Sequence, residues 1–300
     1  MTPLAVESRD AATERPQSAS EEPRVPTVRR RRSILMYLSF AWLLILIAAA
    51  VLADLLPFAP YATPVGTPRM SPQWGTLDTI LGTDTLGRSM LSRIVYGARV
   101  SLVIGTIAGL VGFAVGAYVG MLGGYLRGRL DSVVTFTADA MLAFPPLILL
   151  LALASVLTPS MQTILFGLTL LAIPSFIRLS RANTLTWGAR EFVRAARNMG
   201  AGHFRILFRE ITPNLVPPLA AFLPIVMAAM IVAEGSLSFL GLGIPPPQPS
   251  WGGMISDGKN YIAKDPHLVF VPALVIFFTV FALNQIGDSL RTKFDRTLHD

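Results

Sequence analysis

The sequence predicts an all-α protein built on six membrane-crossing helices, and three observations carry that expectation. Of 300 residues, 52% are hydrophobic and only 14% charged, with a mean hydropathy of +0.56, outside the composition of a water-soluble globule. The apolar residues gather in six stretches, 33–57, 100–125, 132–157, 161–177, 215–244 and 268–286. None is short and alternating like a lipid-facing barrel strand, and only a helix satisfies its own backbone hydrogen bonds within one apolar segment.

Residues 1–32 hold Pro, Ser, Glu and Arg with almost no large apolar side chains, a composition that predicts a disordered tail. Stretch 33–57 carries a single charge, Asp54, and at about 1.5 Å per residue it exceeds a hydrocarbon core of roughly 30 Å. It starts too late and runs too long for a cleaved leader, so an uncleaved anchor is expected. Residues 58–99 then form a loop with an interfacial segment, Ser89 to Arg99 lying flat on the membrane. Residues 100–290 hold five further helices interrupted by a long loop, 178–213, and 291–300 form a short end. Both long loops exceed what a bundle needs, which marks them as functional.

Lysine and arginine fix the expected orientation, because they are retained on the cytoplasmic side of the spans. Seven lie in the tail, two in the 126–131 loop, seven in 178–213 and three at the C-terminus, against six on the other side. Both termini and the 178–213 loop are therefore expected in the cytoplasm. The net charge of +7 is a topology signal rather than a nucleic-acid footprint.

Enzyme signatures are missing. The chain has no cysteine and three scattered histidines, His203, His267 and His299, read as ordinary polar residues, so no metal site is expected. Gly258-Lys259-Asn260 lacks the glycine spacing and the hydroxyl of a phosphate-binding loop. Gly241-x-Gly243 runs into Pro245 to Pro247 and cannot open a dinucleotide-binding helix. No HExxH and no serine elbow occurs.

The 178–213 loop is patterned instead. Phe192, Ala195, Ala196 and Met199 fall at i, i+3, i+4 and i+7, one stripe of a helix, with Arg190, Arg194 and Arg197 opposite. Gly200-Ala201-Gly202 supplies a stop and turn. Phe204, Leu207, Phe208 and Ile211 repeat the spacing, with Arg205 and Arg209 opposite, before Pro213. Two short amphipathic helices are expected, either meeting anionic headgroups or docking a partner.

The run from Glu191 through Arg194, Ala195, Ala196 and Gly200, ending at Ile211-Thr212-Pro213, resembles the EAA loop of ABC-importer permeases. Arg194 stands where that pattern has Glu, and Thr212 where it has Leu. Residues 81–102, LGTDTLGRSMLSRIVYGARVSL, look like the segment preceding the second span of dipeptide/oligopeptide permeases of the C type. Residues 234–254, EGSLSFLGLGIPPPQPSWGGM, resemble the outer end of that family's fifth span and its loop. Covering roughly 33–290, the resemblance implies a type I ABC importer permease fold in the inner membrane. It further implies a second homologous permease, two cytoplasmic ATPase subunits that bind the ATP and Mg, and an extracytoplasmic solute-binding protein. The implied cargo is peptide, with nickel chelates or glutathione-like peptides as alternatives. No cofactor is expected in this chain, and Glu191, Phe192, Arg194, Ala195, Ala196, Arg197, Met199 and Gly200 become the expected ATPase-coupling residues.

Charges inside spans cost a few kcal/mol even on lenient scales and so face protein or water. Asp139, Glu234 and Asn284 are either lining for a translocation path or polar anchors between helices. Asp84 and Arg88, at i, i+4, read as a solvated pair pinning the loop. An ion-coupled secondary transporter and a non-transporting membrane scaffold remain open readings at this level.

Overall fold

The computed structural model describes residues 29–158 and 160–297, with side chains from 34 to 294. Most of the expected disordered tail and the final three residues lie outside that range. In chain order the helices are α1 (Arg29–Val51), α2 (Met90–Leu126), α3 (Gly128–Ala143), α4 (Pro146–Val156) and α5 (Met161–Gly188). They continue with α6 (Glu191–Asn198), α7 (His203–Arg205), α8 (Thr212–Phe239), α9 (Trp251–Gly258) and α10 (His267–Thr297). Among the described residues there is no β-strand, only two isolated bridges, Pro64 with Arg88 and Thr83 with Ser89.

Among the described residues, five helices are long and apolar enough to cross a membrane, and a sixth crossing exists if α3 and α4 are counted together. That pair is bent by 87°, so the straight span expected over 132–157 is broken. The cause is Pro145-Pro146. Proline removes the amide that would continue the helix and forces the preceding residue out of the α region, and Phe144 is extended at φ −76°, ψ 131°.

Other boundaries also differ from the sequence reading. α2 takes in Met90 to Arg99, so that stretch is the first turns of a helix about 55 Å long and not a separate flat segment. α5 runs through to Gly188, which turns 178–188 from loop into helix. At its far end α8 stops at Phe239, where Gly241 at φ +83° closes the helix, and Gly241 and Gly243 are therefore outside the span.

The bundle closes around α2. Gly105, Gly109, Gly112, Gly116, Gly120 and Gly124 recur every three or four residues along it, which puts them on one broad face. A Cβ on Gly116 would sit 2.6 Å from the Ile173 carbonyl oxygen of α5, and one on Gly120 would meet the Ile177 carbonyl. Gly105 and Gly109 face Ile231 and Met227 of α8 in the same way. In lipid, where apolar side chains gain nothing by leaving the solvent, such backbone approach is what lets helices pack. The core over this face comprises Ile104, Ala108, Leu168, Ala172, Phe176 and Leu219, all essentially inaccessible.

At the end of the bundle carrying residues 58–89, Asp84 is buried beside two arginines. Its Oδ2 accepts from Arg88 Nε at 2.6 Å and lies 3.3 Å from Arg93 Nε, while Oδ1 accepts from the Leu86 and Arg88 backbone amides. The expected solvated pair is thus a buried ionic knot tying the loop to α2. Arg93 also reaches Asp257 of α9 at 3.7 Å. Burial pushes the Asp257 carboxyl above its ordinary value, with Arg93 opposing. Nearby, the hydrogen bond from Arg99 holds exposed Asp54 below its ordinary value.

Candidate functional site

The elbow between α5 and α8 is built from a stop, a turn and a wide helical turn. α6 ends in paired reverse hydrogen bonds, Ala201 N–H to Ala196 O at 3.0 Å and Gly200 N–H to Arg197 O at 3.0 Å. Gly200 sits between them at φ +82°, a conformation glycine adopts without strain. The chain then re-enters a helix at His203 and passes through a π turn, Ile206–Ile211, into α8. The second helix is therefore continuous with the membrane span instead of ending before Pro213. The π turn is the physical reason. Thr212 N–H and Oγ1 both reach back to Leu207 O, and the widened turn accommodates the ring of Pro213, which has no amide to give.

Side-chain burial divides the expected coupling residues. Val193 and Ala196, three residues apart, are buried, and Val193 packs with Ile206 and Ile211 against Tyr125, Trp187 and Ala201. Tyr125 Oη lies 2.9 Å from His203 Nδ1, and Arg197 stands over the same ring at 6.0 Å. These contacts seat the elbow on α2 and α5. Ala196 accordingly belongs to the face turned toward the protein, unlike the rest of its predicted stripe.

Phe192, Ala195 and Met199, at i, i+3 and i+7, face outward. Met199 is 80% exposed and Phe204, across the turn, 75%. Phe204 and Phe208 pack on each other with ring centroids 4.5 Å apart. Around this apolar strip stand exposed Arg194 and Arg197, with Glu191 Oε1 3.7 Å from Arg194 Nη2. The elbow thus shows an apolar ridge rimmed by charge, held on a packed base, the composition of a surface that meets another protein. Sequence periodicity found the ridge but missed Val193, whose burial follows only from where α6 docks.

The intramembrane polar residues are not brought together. Glu234 is fully buried, its carboxylate accepting from Ser238 Oγ at 2.7 Å and Ser101 Oγ at 3.3 Å, with Ser250, the N-cap of α9, 3.5 Å from Ser238. It links α2, α8 and α9. Asp139 instead pairs with Arg178 at 2.7 Å, both more than half exposed, and Asn284 is half-buried on α10. Ser101 is 133 residues from Glu234 in the chain, so only the fold links the two. Among the described residues no group of His, Asp and Glu is arranged to hold a metal ion.

A helical bundle with a broken span and a projecting amphipathic elbow is the build of a multi-pass membrane protein. Residues 112–300 match the family model described as the inner membrane component of binding-protein-dependent transport systems. A glutathione transport system permease protein of Pectobacterium atrosepticum is 38% identical over 218 residues, covering 73% of this chain and 72% of the relative. The di/tripeptide transport system permease protein of Pseudomonas aeruginosa is 34% identical over 251 residues, covering 80% and 83%. Among solved structures, the inward-facing methionine ABC transporter MetNI matches with a TM-score of 0.58 at 20% identity, over 68% of this chain and 97% of that one. The chain belongs to the family of binding-protein-dependent transport system inner membrane components, the permease subunits of ABC importers. The open readings of secondary transporter and scaffold fall with that membership.

Proposed function

We propose that this permease carries short peptides of two or three residues into the cytoplasm, paired with a second permease and driven by two ATPase subunits that bind ATP and Mg. The relatives named for glutathione and for di- and tripeptides support this cargo class, glutathione being itself a tripeptide. An extracytoplasmic binding protein delivers the solute. The chain's own part is to offer two access states and to let nucleotide binding elsewhere choose between them.

The observation that carries the coupling half of this reading is the exposed ridge of Phe192, Ala195, Met199, Phe204 and Phe208 on a base pinned by Val193, Ile206 and Ile211. The distribution of lysine and arginine supports an elbow and two termini that face the cytoplasm. An ATPase groove takes the apolar ridge while Arg194 and Arg197 meet acidic residues at its rim. Because the base is continuous with α8 through the π turn, a shift of the ATPase subunit is passed directly to a membrane span. Arg194 stands where the EAA pattern has Glu, so the contact made by that Glu is not carried over to this chain.

The test is ATP-dependent dipeptide uptake in proteoliposomes holding the whole importer. Met199→Glu with Phe204→Glu should cut uptake about tenfold or more, since central apolar anchors dominate interface energetics, while subunit expression holds. Unchanged uptake would remove the coupling assignment.

A further inference from the structure

A cleft of about 610 Å³ opens between α5, α8 and α10 at the elbow end of the bundle. Its volume lies within the roughly 300–1,000 Å³ of small-molecule sites, and its apolar walls with a few polar groups match their makeup. It is separate from the exposed ridge of the elbow.

The polar groups at this cleft are of two opposite kinds. Asn183 and Asn214 give amide hydrogens to the Leu179 and Glu210 carbonyls at 2.9 and 2.8 Å, leaving both side-chain oxygens as acceptors. Pro217 and Pro218, which also line the cleft, have no N–H, so the carbonyls of Pro213 and Asn214 four residues earlier lose their helical donor. These acceptors lie on α5 and α8. The charge comes from α10, where Arg291 is the single ionised residue of the lining. Among the described residues Arg291 has no hydrogen-bond or ion-pair partner.

Oxygens that lack the i+4 helical donor or keep free lone pairs on one side, and a guanidinium on the other, complement a zwitterion. We propose that this cleft is a peptide subsite on the elbow side of the permease, in which Arg291 takes the C-terminal carboxylate and the four oxygens take the ammonium and amide hydrogens. Phe222 and Leu179 receive the peptide side chains. The assignment rests on the short-peptide reading above and adds the place where cargo pauses before release. A solute bearing only one of the two charges satisfies half of the groups.

The chain has no cysteine, so Leu179→Cys gives a single reporter in the assembled importer with cysteine-free partner subunits. In phosphatidylcholine nanodiscs without nucleotide, alanylalanine should slow maleimide labelling of that cysteine at least about threefold at saturation. Alanylalanine amide should not protect, and Arg291→Gln should abolish protection while Arg291→Lys keeps part of it. Should Leu179→Cys fail to assemble, Ile225→Cys reports on the same cleft. Equal protection by the amide, protection that survives Arg291→Gln, or no protection at all overturns the subsite. So does loss of the dipeptide effect when phosphatidylglycerol is added, which would give Arg291 to a lipid headgroup. ATP-dependent uptake of alanylalanine is measured in parallel. Uptake without protection removes the subsite and leaves peptide import standing, whereas absence of uptake for every di- and tripeptide overturns the import reading beneath it.

Discussion

Val193 and Met199 lie within two turns of each other, yet substitutions there should fail in different ways. Val193→Asp places an unpaired charge against Ile206 and Ile211, a cost of several kcal/mol, and should leave little assembled permease on size-exclusion chromatography. Met199→Glu changes an exposed side chain and should leave assembly intact while uptake falls. Ala196→Glu, which the sequence pattern would offer as a docking variant, should behave like Val193→Asp. Asp84 gives a further case. Asp84→Asn leaves two buried arginines facing a neutral partner, for a loss of about 3–5 kcal/mol, visible as a lowered Tm of the solubilised importer. At this scale the sequence showed which residues were polar and which apolar. It did not show that Asp84 and Arg88 are buried, because their cover comes from Arg93 and from α9 and α10, far along the chain.

Among the helices, α2 is the one whose surface allows the bundle to close. Gly116→Leu or Gly120→Val would drive a side chain into the α5 backbone at carbonyls already in contact range. The expected cost is about 1–3 kcal/mol each by overpacking, and co-purification with the partner permease should decline accordingly. Ala at Gly200 has open space around its Cβ but not a favourable φ, so Gly200→Ala should weaken the turn modestly and Gly200→Asn less. The membrane-crossing helices were legible from hydropathy and α6 from its periodicity, whereas α9, Trp251–Gly258, was not read from the sequence. The helix ends were not legible either. Hydropathy cannot see that α5 continues past the apolar run to Gly188, since a helix end follows hydrogen bonds and capping and not lipid depth. The break at Phe144 was written in Pro145-Pro146, and the continuity of the elbow with α8 was hidden because Pro213 ordinarily ends a helix.

For the whole molecule, one arrangement joins these elements to a function. A glycine-packed bundle gives the spans a rigid contact face, the Asp84 knot and the Glu234 serine cluster fix the opposite end, and the elbow projects from the other end on a helix that continues into the membrane. On the proposed coupling, motion applied at the elbow would reach α8 through the contiguous π turn. Family membership was legible in the EAA-like run and in residues 81–102 and 234–254. The cleft was not, because Asn183, Pro217 and Arg291 belong to three helices whose proximity no spacing encodes.

The most direct measurement is cross-linking from Met199→Cys, a unique cysteine in this chain, in intact cells expressing the complete importer. A short bifunctional reagent should join it to the ATPase subunit, with a yield that changes when nucleotide is trapped. Modification of that cysteine by a membrane-impermeant maleimide from outside the cell, with no adduct to the ATPase, would contradict the account.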